Sequence, residues 1–105
     1  MCGIAGIISL DGTPVANLDR SLAVLDRMIA HRGPDGHGAW RCPSGRIGLA
    51  HRRLAIIDLS AAAQQPMLAP GPLAITYNGE IYNYVELRQA LGQHWRFRSR
   101  SDTEC

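Results

Sequence analysis

Apolar and polar positions along the chain fall into patterns that mark out short elements. Residues 3–9 are a near-continuous apolar run, as in a short buried strand, and Asp11-Gly12-Thr13-Pro14 ends it with a turn. Leu18, Leu22, Leu25, Met28 and Ile29 then recur at helical spacing behind Asn17, a suitable N-cap. Arg32-Gly33-Pro34 stops that helix, Gly33 being free to take a left-handed C-cap and Pro34 unable to extend the hydrogen-bond ladder. Strand patterns follow at 37–41, 46–51 and 54–58, the first two joined by the turn Pro43-Ser44-Gly45.

The second half is more broken. A polar, proline-bearing loop over 60–72 leads to a strand at 73–77, which Asn78-Gly79 interrupts and 80–82 resume. Asn83 and Glu86 form a capping-box start for a helix through Leu91. Trp95-Arg96-Phe97-Arg98 alternates apolar and basic, the period of a half-exposed strand, which accounts for it without a nucleic-acid patch. Ser101-Asp102-Thr103-Glu104 is a second capping box with only Cys105 behind it, so the pattern expects a helix of which this chain carries the start alone. Strands with two helices predict an α+β fold in one small domain.

Composition narrows the function. With 46% apolar residues in 105, a modest core is expected and stability is marginal. A net charge of +2 is too small to argue for nucleic acid or an anionic membrane, although every one of the eleven basic residues is Arg. The first ten residues lack a basic n-region and Asp11 cuts the apolar run, so neither a signal peptide nor a membrane span is expected. Cys2, Cys42 and Cys105 are odd in number and far apart, with no C-x-x-C pair and no ligand spacing among the four His. No disulfide framework and no metal site are expected, and a reducing, cytoplasmic setting follows.

The candidate chemistry begins at Cys2. Removal of Met1 would put a thiol and a free α-amino group on one residue. A thiol of ordinary pKa needs a base to become an efficient nucleophile, and an α-amine titrating at about 7.7–8.0 is such a base. A small thiol buried in a first strand explains the position equally well. His51-Arg52-Arg53-Leu54 places two Arg on opposite faces of a strand, so one of them is free to turn a planar fork toward a carboxylate. Asn78-Gly79-Glu80 sets a side-chain amide beside a glycine N–H, a pair suited to an oxyanion, although Asn-Gly is also the strongest short hairpin signal. Arg32-Gly33-Pro34-Asp35 alone reads as a helix stop.

In order, MCGIAG, HRGPDG, LAHRRLAIIDLS, YNGEIYNY and RSDTE resemble the N-terminal glutaminase domain of glutamine-hydrolysing asparagine synthetases, a class II glutamine amidotransferase. Arg32-Gly33-Pro34-Asp35 and His51-Arg52-Arg53-Leu54 favour that branch over the R-G-Y-D-S and H-T-R-W runs of glucosamine-6-phosphate synthases and the R-G-Q-D of phosphoribosyl-pyrophosphate amidotransferases. The resemblance implies the N-terminal-nucleophile hydrolase fold, a four-layer αββα sandwich with mostly antiparallel sheets, of which this chain holds the first half. It implies that Cys2 attacks the side-chain amide of L-glutamine, that Asn78 and Gly79 form the oxyanion hole, and that Arg53 grips the α-carboxylate. Asp102 and Glu80 would face the α-ammonium, Leu54, Ala55, Ile56 and Ile57 would line the pocket through their backbone, and Asp35 would position rather than react. Ammonia would pass to a C-terminal synthetase domain that converts aspartate to asparagine. ATP and Mg belong to that domain, whose S-G-G-x-D-S loop is absent here, and the glutaminase half needs no cofactor. The expected partners are thus glutamine and that domain, with a homodimer of the parent. The chain departs from the pattern at Cys105, where an aliphatic residue is usual, and in the 61–67 loop, which lacks a Gly-His. Two alternatives stay open: an amidotransferase with another acceptor in surface-polymer or secondary metabolism, and an inactive truncated remnant.

Overall fold

The helical spacing of the first half becomes an amphipathic helix lying on a sheet in the computed structural model, which describes residues 1–105. Strand β1 (Gly3–Ile8) is followed by helix α1 (Leu18–Met28), a single 3-10 turn at Ala30–Arg32, and the antiparallel hairpin β2 (Gly36–Arg41) and β3 (Ile47–Arg53). Strand β3 is central, in the order β1-β3-β2, and both neighbours run antiparallel to it. Gly3 pairs with Arg52 and Ile8 with Ile47 on one side, while Gly36 pairs with Arg53 and Arg41 with Gly48 on the other.

Alternation along β3 sends successive side chains to opposite faces. On one face Leu18 and Leu22 pack over Ala50, with Ala5, Ile7 and Val15 around them. Gly48 makes that packing close: a Cβ there would stand 2.7 Å from Leu22 Cδ1 and 2.9 Å from Leu18 Cδ1. The same face ends in a bidentate ion pair, Arg52 Nε donating to Asp26 Oδ1 at 2.7 Å and Nη2 to Oδ2 at 2.5 Å. On the other face the fully buried His51 meets Thr76 Oγ1 through Nδ1 at 2.9 Å, tying the sheet to the second half of the chain.

That second half is held mostly by side chains. Strands β4 (Met67–Leu68) and β5 (Ala74–Ile75) pair over two residues each, and helix α2 (Tyr84–Leu91) precedes a 3-10 turn at Asp102–Glu104. Arg88 of α2 donates to the carbonyls of Ser99 and Ser101 at 2.6 and 3.2 Å and lies 4.0 Å over the Phe97 ring. No helix is long and apolar enough to cross a membrane.

Several expected elements differ, and the causes are polar. Residues 54–58 form no strand: the Leu54 N–H is taken by the Cys2 sulfur and the Ala55 N–H by the Asp35 carboxylate, leaving no ladder to join. Residues 95–98 form none either, because Glu104 accepts from the Arg98 N–H and from the Trp95 indole. The strand expected at 73–77 shrinks to β5, and 80–82 does not resume it. Gly33 is extended, with φ −147°, rather than left-handed, whereas Asn17 adopts the left-handed region at φ 54° without a side-chain cap. Asn83 makes no side-chain cap, but Ser101 does, its Oγ accepting from the Thr103 N–H at 3.2 Å.

Candidate active site

The C-terminal end of β3, the N-terminal end of β1, the segment after β5 and the last 3-10 turn converge on one cleft of about 330 Å³. Cys2, Arg53, Leu54, Ile56, Ile57, Asn78, Gly79, Glu80 and Asp102 all line it. Ala55, expected among them, is not at the lining, and its N–H donates to Asp35 Oδ2 at 2.9 Å.

Cys2 lies one residue ahead of β1, where the register brings it beside the end of β3. The Leu54 N–H donates to its sulfur at 3.3 Å, and the thiol in turn reaches the Leu54 carbonyl at 3.6 Å. Arg32 Nε donates to the Cys2 carbonyl at 3.0 Å, so the residue is held from both the loop after α1 and the end of β3. Met1 lines the cleft too and is 75% exposed. Arg53 spends one N–H on the Ser60 carbonyl, with Nη1 at 3.0 Å, which leaves other guanidinium donors for a ligand. Its backbone carbonyl accepts from the Asp35 N–H at 3.0 Å, so Asp35 ties the loop after α1 to Arg53 at the end of β3 and to Ala55 two residues beyond.

On the opposite wall, Asp102 is only 5% exposed. Its Oδ2 accepts from the Ile81 N–H at 2.8 Å and its Oδ1 from the Thr103 N–H at 3.0 Å. The first of these bonds fixes the backbone just after Glu80. Gly79 packs against the Tyr77 ring, whose Oη would lie 2.4 Å from any Cβ at that position, so no larger residue fits there without displacing the phenol. Asp58 also borders the cleft and bridges two loops, accepting from the Ser60 N–H at 2.8 Å and the Arg100 N–H at 2.6 Å. The Ser60 hydroxyl, then the Arg100 and Ser60 N–H groups, hold its pKa down at about 2. Burial, and next the charge of Arg53, lower the pKa of His51. No cluster of three or more His, Cys, Asp or Glu is arranged to hold a metal.

A cysteine beside the N-terminus, an arginine and an amide–glycine pair thus surround one cleft. Residues 1–105, the whole chain, match the glutamine amidotransferase domain family. The chain belongs to that family. It is 40% identical to Asparagine synthetase [glutamine-hydrolyzing] 1 of Arabidopsis thaliana and 36% identical to Asparagine synthetase B [glutamine-hydrolyzing] of Escherichia coli, in each case over 99% of this chain. It is also 40% identical to Amidase chry2 of Gibberella zeae, again over 99% of its length. The chain spans 17% of the plant and fungal proteins and 18% of the bacterial one.

This amidotransferase domain contains cleft residues that pattern reading passed over. Gln65, Tyr77 and Thr103 line the cleft beside the expected residues, and Asp58 joins two of its loops. Asp58 had a signal of a kind, an acidic residue two before a serine, which is the spacing of an Asx turn. Gln65 had none, because the groups it holds are 12 and 38 residues away.

Proposed function

We propose that this domain hydrolyses glutamine to glutamate and ammonia through a thioester at Cys2, and that in the longer protein the ammonia serves ATP-dependent conversion of aspartate to asparagine. The observation that carries the reading is the convergence of Cys2, Arg53, Asn78, Gly79 and Asp102 on one cleft, in a chain of the glutamine amidotransferase domain family.

Free glutamine brings one carboxylate and one ammonium, and burying either unpaired costs affinity. Arg53, with donors to spare beyond Ser60, takes the carboxylate in a fork. Asp102 uses one lone pair of each oxygen on Ile81 and Thr103 and keeps others for the ammonium, with Glu80 beside it. The backbone of Leu54, Ile56 and Ile57 closes the pocket around the substrate.

Removal of the exposed Met1 frees the Cys2 amine. That amine takes the thiol proton as the sulfur attacks the side-chain carbonyl carbon, and the Asn78 amide and Gly79 N–H receive the oxyanion. Collapse expels the amide nitrogen as ammonia, the Cys2 ammonium returning the proton, and leaves a thioester. Water, deprotonated by the same amine, then attacks the thioester and releases glutamate and the thiol. Asp35 and Arg32 hold the nucleophile's surroundings without touching the reacting atoms. No cofactor enters these steps, and ATP and Mg belong to the synthetase domain. A thiol nucleophile and three free cysteines suit a reducing cytoplasm. A helix on one face of a sheet, with a second sheet tied to its other face through His51, supports assignment to the αββα sandwich of N-terminal-nucleophile hydrolases.

The test is glutamate release by the full-length protein. Cys2→Ala is expected to abolish it, and one uncleaved residue ahead of Cys2 is expected to do the same while leaving the fold intact. Turnover that survives either change refutes the mechanism.

A further inference from the structure

Pro66 lacks an N–H, and the short β4–β5 ladder stops at Met67, the residue directly after it. The register Met67 to Ile75 and Leu68 to Ala74 would, if continued, set Gln65 opposite Tyr77. There the side chain replaces the missing backbone rung: Gln65 Oε1 accepts from the Tyr77 N–H at 2.6 Å. Its Nε2 donates to Thr103 Oγ1 at 3.3 Å. One amide thus holds the residue just before Asn78-Gly79 and the residue just after Asp102. Gln65 itself is 6% exposed, and its two partners on the cleft wall leave it little freedom.

The glutamine is also anchored to the sheet that carries the nucleophile. The Gln65 carbonyl sits so close to β2 that a Cβ on Gly38 would fall on it. The neighbouring Gln64 donates through Nε2 to the His37 carbonyl of the same strand. Sheet β1-β3-β2, the oxyanion wall and the Asp102 turn are therefore referenced to one another through a single two-residue segment.

We infer that Gln65 is a positioning residue for glutamine hydrolysis, setting the distance from the Cys2-bearing sheet to both the Asn78-Gly79 donors and the Asp102 carboxylate. The inference rests on the glutaminase reading above. It assigns Gln65 no contact with the reacting atoms. Its effect runs through Tyr77 on one arm, toward transition-state stabilisation, and through Thr103 on the other, toward substrate binding.

Gln65→Leu keeps the volume and removes both bonds, whereas Gln65→Glu keeps an acceptor for the Tyr77 N–H and lets the Thr103 hydroxyl donate to its second oxygen. In the full-length protein, Gln65→Leu is expected to lower kcat for glutamine by about 10–100-fold, the scale of a displacement of roughly 1 Å at a reacting site. KM is expected to rise at the same time, and Gln65→Glu to recover part of kcat. Alkylation of Cys2 by iodoacetamide, followed by peptide mapping, should proceed at the wild-type rate in both variants, because Gln65 touches neither Cys2 nor Leu54. Wild-type kcat and KM in Gln65→Leu overturn the inference, as does a loss matched by faster Cys2 alkylation, which signals general loosening. A wild-type protein that releases no glutamate refutes the glutaminase reading and this inference with it, and is told apart because the parent activity is then missing.

Discussion

Replacing Gly33 with Ala tests how the loop after α1 holds Cys2. With φ at −147°, Gly33 is in a conformation that any residue adopts, so backbone strain is not the issue. Space is: a Cβ would lie 2.4 Å from the Arg52 carbonyl carbon and 2.5 Å from both the Arg52 oxygen and the Arg53 nitrogen, where ordinary contact begins at 3.4 Å. All three atoms are backbone of the central strand and cannot swing aside, so the loop itself must retreat by about 1 Å. Arg32, one residue before, carries the bond to the Cys2 carbonyl, and Asp35, two residues after, carries those to Arg53 and Ala55. Overpacking of this kind costs about 1–3 kcal/mol. In a domain of this size that lowers Tm by about 4–8 °C per kcal/mol. A shift of roughly 1 Å beside Cys2 is expected to cost up to about 100-fold in kcat/KM for glutamine. Glutamate release and a thermal melt measure the two effects. Gly36→Ala is the control, since its methyl would press only on the flexible amide end of Gln64, at 3.1 Å, and would meet Arg53 Cβ at an ordinary 3.8 Å. Wild-type Tm and kcat/KM in Gly33→Ala, or greater damage in Gly36→Ala, would refute the reasoning.

The ion pair behind the sheet and the bridging carboxylate beside the cleft give two further expectations. Asp26→Asn strands a guanidinium that is only 19% exposed and should cost about 2–3 kcal/mol in denaturant unfolding, less than a fully buried pair because solvent still reaches both partners. Asp26→Leu combined with Arg52→Met should recover much of that loss, and a double variant as unstable as the sum of the single ones would contradict it. Asp58 has a folded pKa of about 2, below its ordinary value of 3.8, so its contribution is complete above about pH 4 and disappears as the pH falls through 2. After allowance for solvent screening that contribution is about 1 kcal/mol. Urea titrations between pH 5 and pH 2 should show a shallower acid decline for Asp58→Asn than for the wild type, and parallel curves would dismiss the assignment.

Where structure follows local rhythm, the chain announced it. The Leu18 and Leu22 spacing became α1, and the apolar run behind Cys2 became β1. The cleft's lining was legible for a different reason, because Cys2 and Asn78-Gly79 are residue types whose placement asks for an explanation beyond packing. Segment 54–58 shows the limit. Leu54, Ile56 and Ile57 carry the composition of a strand, yet the N–H groups of residues 54 and 55 are claimed by Cys2, 52 positions away, and by Asp35, 20 away. Side-chain acceptors that reach across the chain leave no periodic trace, and they also account for residues 95–98 and for Gln65. At Gly33 the spacing suggests a left-handed cap, whereas close approach to β3 is what requires the glycine.

The register of the three-stranded sheet also dictates an order of assembly. The hairpin β2–β3 closes over the short turn at 42–46, whereas β1 must reach across from Ile8 to Ile47. That longer closure costs about 2 kcal/mol more in chain entropy, so the strand behind Cys2 docks after the hairpin exists. Strand β1 is made first and has no partner until residue 53 has been joined, a wait of several seconds at about 5–20 residues per second. Throughout that interval the Met1–Cys2 peptide bond lies on an open, unpaired chain. The Met1–Cys2 bond is therefore already on the growing chain before the cleft around Cys2 has walls.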